Sequence, residues 1–246
     1  MTKKRSFLLS LVAAVAIGSL GPALAQSELR IGFFPGPYAD QFKRGVQPYL
    51  ESQGIKVTAT EFSNIIQINT ALMDGSLDAN VFQNRAFMDT FNAQQKGRLV
   101  EVLQVPSAPL GLYSSKHKDL KSLPNGASVA IPNEPTSMGR ALAFLQLQGL
   151  ITLDPAVAAG RHTERNIASN PKNLKMVPID APQMPRTLSE VDLSAILGNH
   201  ILAARDDVAK GPLIEKLVTG YKSAEYRRFV ETDPKSKGFS RPEYWR

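Results

Sequence analysis

The residue types best suited to hold an ion cluster in one short run, Asn133-Glu134-Pro135-Thr136-Ser137-Met138-Gly139-Arg140. Asn133 or Thr136 can cap a helix, and Pro135 suits its first turn. The opening turns of a helix carry free N–H groups and partial positive charge, so a cation is slightly out of place there. A ligand carboxylate would reverse that, because backbone N–H groups and the fork of Arg140 would meet one anion. The same arginine could equally face solvent or pair with Glu134, and the run alone leaves these readings level.

Little else in the sequence offers chemistry. No P-loop, dinucleotide-binding glycine motif, zinc-protease motif or nucleophile elbow occurs. His117, His162 and His200 share no metal-ligand spacing and read as surface or structural residues. Ser115-Lys116-His117-Lys118 fits a Ser-x-x-Lys pattern, but its charged surroundings are unlike a buried nucleophile site. Cysteine is absent, which removes disulfides, zinc–thiolate centres and thiol nucleophiles. The chain is expected to bind rather than catalyse, with no metal and no cofactor.

The elements that must position Arg140 follow from pattern and punctuation. Leu29–Phe34 reads as a strand ended by Pro35-Gly36-Pro37, and Ala39–Ser52 as a helix stopped by Gly54. Strands at 55–62, 80–82 and 99–105 alternate with helices at 65–73 and 85–95. This alternation marks an open, mostly parallel sheet covered by helices. After Pro106 and Pro109 a second α/β unit begins. It has strands at 128–131, 174–178 and 191–197, a helix from Ser137 to Gln148 and a short helix at 163–169. Helices at 212–221 and 223–231 and a basic coil at 235–246 complete the chain. The expected fold is α/β and two-lobed, with a ligand cleft between the lobes. Residues 26–105 form lobe 1, 106–200 lobe 2, and 201–246 a C-terminal segment returning to lobe 1.

Residues 1–25 read as a signal peptide: basic Lys3-Lys4-Arg5, an apolar run from Phe7 to Leu20, then Ala23-Leu24-Ala25. The run is shorter than the roughly 20 apolar residues needed to span a bilayer. Cleavage would leave Gln26 first, and without a cysteine to carry lipid the mature protein is expected to diffuse, unlipidated, in the periplasm. The formal net charge is +7, with both signs mixed along the chain. That pattern suits a solvated surface rather than a nucleic-acid patch, and a monomer is expected.

Several longer motifs are specific. Ser128–Leu142 with Leu147–Ile151, Asn170–Lys175 continuing to Asp180–Arg186, and Asn69–Leu72 with Gly75–Gln83 resemble the methionine-binding NlpA/MetQ family over about residues 29–230. The resemblance implies the substrate-binding component of an ABC importer, with lobes closing on an amino acid and an inner-membrane permease as partner. It carries a ligand-holding arginine onto Arg140 and an aromatic onto Phe82. Where the family has His and Tyr, this chain has Asn84 and Phe87, and a further family Tyr corresponds to Ile65. On pattern alone Phe82 and Phe87 read as core, and the resemblance moves them towards the cleft lining. Near Val191 about one family segment is missing, so Asn199 alone remains for two ligand-binding asparagine positions. The expected ligand is methionine, a related amino acid or a short peptide. The alternative is a degenerate paralogue acting as a sensor or interaction protein without transport.

Overall fold

The computed structural model describes residues 27–245 apart from Pro182, Pro185 and Asn199. The leader at 1–25 and the ligand role expected of Asn199 therefore lie outside the described residues.

Strand β1 (Glu28–Phe33) buries Leu29, Ile31 and Phe33 completely, so it occupies the interior of a sheet. It pairs in parallel with β2 (Lys56–Glu61) on one side and β3 (Ala79–Gln83) on the other. β4 (Leu99–Gln104) does not continue that ladder directly. Strand β11 (Ile201–Arg205) inserts between β3 and β4, antiparallel to both. The expected parallel series is thus interrupted by a strand from the far end of the chain. Its run Ile201-Leu202-Ala203-Ala204 is fully buried, although no turn residue announces it as a strand.

The helix expected at 39–52 is α1 (Pro37–Gln41) and α2 (Gln47–Ser52), joined by a π-helical turn at Phe42–Val46. Gly45 lies in that turn, and the rings of Tyr226 and Phe229 occupy the place its Cβ would take. α3 (Ile65–Met73) and α4 (Arg85–Gln95) match the sequence reading. Each starts from an asparagine cap: Asn64 Oδ1 accepts from the Ile66 N–H, and Asn84 Oδ1 from the Phe87 N–H.

The second sheet has the order β5–β10–β6–β9, built from β5 (Gly111–Tyr113), β6 (Ser128–Pro132), β9 (Lys175–Ile179) and β10 (Leu193–Ile196). Helix α5 (Pro135–Leu147) packs Ala141, Leu142 and Leu145 against Val129 and Ile131. Its cap is neither Asn133 nor Thr136 but Glu134, whose carboxylate accepts from the Thr136 and Ser137 N–H groups at 2.9 and 2.8 Å. The short helix expected at 163–169 is instead a 3₁₀ turn at Glu164–Asn166 followed by β8 (Ile167–Ser169), which pairs with β7 (Thr152–Leu153). Asn166 Oδ1 accepts from both the Thr163 N–H and its hydroxyl, which closes the turn and frees Ile167–Ser169 to pair.

Helices α6 (Pro212–Lys222) and α7 (Ala224–Thr232) bury Leu217, Tyr221 and Tyr226 beneath the first sheet. The tail read as coil is docked there as well. Trp245 is buried edge-on to Tyr226, and the Ser240 N–H donates to the Ser107 carbonyl at 2.8 Å. Two segments cross between the sheets: Val105–Leu110 outward and Leu197–His200 back. They touch backbone to backbone at Gly198, where a Cβ would collide with the Ala108 carbonyl.

Candidate functional site

A cavity of about 430 Å³ lies between the two sheets, within the roughly 300–1,000 Å³ of small-molecule sites. Phe34, Ile65, Phe82 and Phe87 line it from the first lobe, and Pro132, Met184 and Ile196 from the second. Phe82 and Phe87 meet edge-to-face, with centroids 5.8 Å apart. Of the residues marked in the sequence, Ile65, Phe82, Asn84 and Phe87 all line this cavity. The Asn84 carbonyl oxygen is occupied as the α4 cap, which leaves its NH₂ group as the available end. A smaller cavity of about 240 Å³ lies within the second lobe beside His117 and Phe144.

Arg140 stands outside the lining but not in solvent. Its Nη1 is buried without a hydrogen-bond partner among the described residues, and burial pushes the guanidinium below its ordinary value. The pairing with Glu134 does not form, because that carboxylate is engaged by the α5 backbone. A buried polar group left unpartnered costs about 1–3 kcal/mol, and more when charged. An anion would recover that cost.

His200 was not singled out by the sequence reading as a site residue. It lines the cavity, stacks on Tyr38 with centroids 4.2 Å apart, and has a buried Nδ1 without a partner among the described residues. Burial first, and then the charge of Arg140, push its imidazole down to about 4. Nothing in the local sequence signals this role, since the residue acquires it only where β11 enters the first sheet. Away from the cavity, His117 Nε2 lies 3.0 Å from Asp192 Oδ1, and His162 Nε2 lies 3.0 Å from the Asp154 carbonyl, although His162 Nδ1 is likewise buried without a partner among the described residues.

Beneath the first-lobe wall is a buried amide cluster. Asn69 Nδ2 donates to Gln83 Oε1 at 2.8 Å, Asn80 Nδ2 to Asn69 Oδ1 at 2.9 Å, and Gln83 Nε2 to Asn80 Oδ1 at 3.0 Å. The cluster ties α3 to β3 and so fixes the strand end that presents Phe82 and Asn84. On the opposite rim Asn133 Nδ2 donates to Asp180 Oδ1 at 2.7 Å.

Two α/β sheets joined by paired crossings, with a cavity between them, define the two-lobed fold of periplasmic substrate-binding proteins. This chain belongs to the NlpA lipoprotein family, whose model matches residues 29–214. It is 36% identical to the probable D-methionine-binding lipoprotein MetQ of Vibrio cholerae over 174 residues, 71% of this chain and 64% of that one. It therefore spans less than two thirds of that relative's length. Among solved structures it resembles a nutrient-binding protein from Burkholderia cenocepacia bound to methionine, with 32% identity and a TM-score of 0.76 over 87% of this chain and 99% of that one. It also resembles a periplasmic substrate-binding protein of an ABC transporter from Coxiella burnetii, with 30% identity and a TM-score of 0.74 over 86% of this chain and 98% of that one. These findings correct one expectation. The family and its curated relatives are named lipoproteins, so the reading of an unlipidated, freely diffusing protein does not stand. That reading rested on the absence of cysteine, which does not outweigh the character of the family.

Proposed function

We propose that this chain is the periplasmic solute-binding component of an ABC importer, and that its lobes close on methionine or a related amino acid. One observation carries the proposal: a half-buried guanidinium at Arg140 whose buried Nη1 has no hydrogen-bond partner among the described residues, close enough to the cavity-lining His200 to act on its charge. Arg140 takes the ligand carboxylate. Phe82, Phe87 and Ile65 pack on its side chain, and the Asn84 amide donates to it, with Asn199 offering a further amide. Closure of the lobes is the working step, and no bond of the ligand is made or broken. The closed, loaded form is what an inner-membrane permease receives. Relatives named for methionine support this choice of ligand. In this reading residues 26–105 and 106–200 move as the two lobes, with 201–246 carried by the first. Isothermal titration with D- and L-methionine tests it: saturable binding to one site is expected, and heats of dilution only would refute it.

A further inference from the structure

We propose that the imidazole of His200 is a second donor to the bound anion, completing with Arg140 a two-point seat that joins the second lobe to the returning crossing. The inference rests on the reading of an anionic amino-acid ligand and adds a recognition residue to it.

Arg140 Nη1 and His200 Nδ1 are both buried, both lack a hydrogen-bond partner among the described residues, and are coupled electrostatically. A neutral acceptor would satisfy the ring and leave the guanidinium charge uncompensated. A carboxylate can satisfy both. His200 is also held as a recognition group should be. Its carbonyl accepts from the Val105 N–H at 3.0 Å, its N–H donates to Ser107 Oγ at 3.3 Å, and its ring lies on Tyr38. The ring is therefore set before a ligand arrives. Because its imidazole is pushed down to about 4, it is neutral near pH 7 and carries one N–H, on Nδ1 in the tautomer that faces the anion. Arg140 belongs to α5 on the second lobe, whereas His200 lies on the returning crossing, immediately before β11 of the first sheet. An anion held by both links the second lobe to the returning crossing, a link the apolar walls cannot supply.

The chain has three histidines, so each imidazole can be followed by nitrogen NMR. Formate serves as a bare carboxylate probe and L-methionine as the amino-acid probe. With either, the His200 ring resonances should shift and those of His117 and His162 should stay in place. The formate response should vanish in Arg140→Ala. By calorimetry, His200→Phe, which keeps the ring on Tyr38 but removes both nitrogens, should weaken methionine binding about tenfold or more, and His200→Gln should recover part of the loss. If formate moves His200 in an Arg140-dependent way while methionine does not bind, the seat stands and the methionine reading falls. If methionine binds tightly and neither the His200 ring nor the His200→Phe affinity responds, the seat falls and the binding function stands. If neither probe moves the ring, the seat is overturned, whatever the variants do.

Discussion

On the first-lobe side of the cavity, Asn69, Asn80 and Gln83 direct their hydrogen bonds to one another, and Asn84 caps its own helix. Against them stand Arg140 Nη1 on the second lobe and His200 Nδ1 on the returning crossing, both buried without a hydrogen-bond partner among the described residues. Two other arginines are firmly partnered. Arg30 forms a forked pair with Asp78 at 2.7 and 3.1 Å, and Arg205 donates to the Leu72 and Leu77 carbonyls. The partnered amide cluster and the unpartnered pair separate structure from recognition. The amide cluster contributes a rigid floor, whereas the unpartnered donors hold hydrogen-bonding capacity that only an incoming acceptor can use.

Breaking the unpartnered pair should have the largest effect. Arg140→Ala is expected to weaken methionine binding by about 2–5 kcal/mol, the scale of a desolvated charge-assisted pair, with folding intact. Unchanged affinity in calorimetry would erase the contrast between cluster and pair. The amide cluster should answer in stability instead. Asn69→Leu removes the hub of the amide cluster, and each stranded partner costs about 1–3 kcal/mol. The melting temperature should fall by several degrees, at about 2–4 °C per kcal/mol for a chain of this size, with a smaller loss of affinity than Arg140→Ala gives.

Specificity should be smaller still. The family resemblance read in the sequence sets Ile65, Asn84 and Phe87 against Tyr, His and Tyr, and an apolar pocket separates ligands by only about 1–3 kcal/mol per methylene. Leucine, isoleucine or phenylalanine should therefore compete with methionine within about tenfold, or 1.4 kcal/mol, in a thermal-shift panel. A response to methionine alone would show that the present lining keeps its selectivity.

The smallest effect concerns a charge that is fully partnered inside the second lobe. His117 first, then the Ser128 N–H and hydroxyl, hold the Asp192 carboxyl well below the usual carboxylate range. A carboxyl depressed by folding adds stability that is present above its unfolded value, near pH 4, and lost as the pH falls through the folded value. Asp192→Asn should show a stability deficit in urea melts at pH 7 that narrows towards pH 3. A deficit independent of pH would mean that shape, not charge, sets the contribution of this residue.

The sequence was most legible where local chemistry decides the outcome. The helices read at 65–73 and 85–95 are α3 and α4 with those bounds, and the asparagine immediately before each, Asn64 and Asn84, proves to be its cap. It was least legible where distant packing decides. Ile201–Ala204 is too short and too plain to declare itself, and becomes β11 only because β3 and β4 leave a slot for it. Ile167–Ser169 could have continued a helix, yet β7 was available to pair with it. Trp245, in a tail rich in charge and proline, docks because the core around Tyr226 accepts it. The site followed the same division. Arg140 stood out through its place in a helix start, and the family resemblance pointed to Phe82 and Asn84. His200 had no local signal, because its partners Tyr38, Ser107 and Arg140 come from three separate parts of the chain.

Gly198 gives the crossing region a mechanical character. With no side chain between Gly198 and the Ala108 carbonyl, the outward and returning segments lie in direct backbone contact, and the His200 backbone is bonded to Val105 and Ser107 of the other segment. The link is one laminated ribbon rather than two separate threads. In the proposed closure, paired backbones of this kind favour a swing of the lobes over a slide of one segment past the other. His200 sits on that link, so a ligand gripped there is held at the junction of the lobes rather than deep in either one.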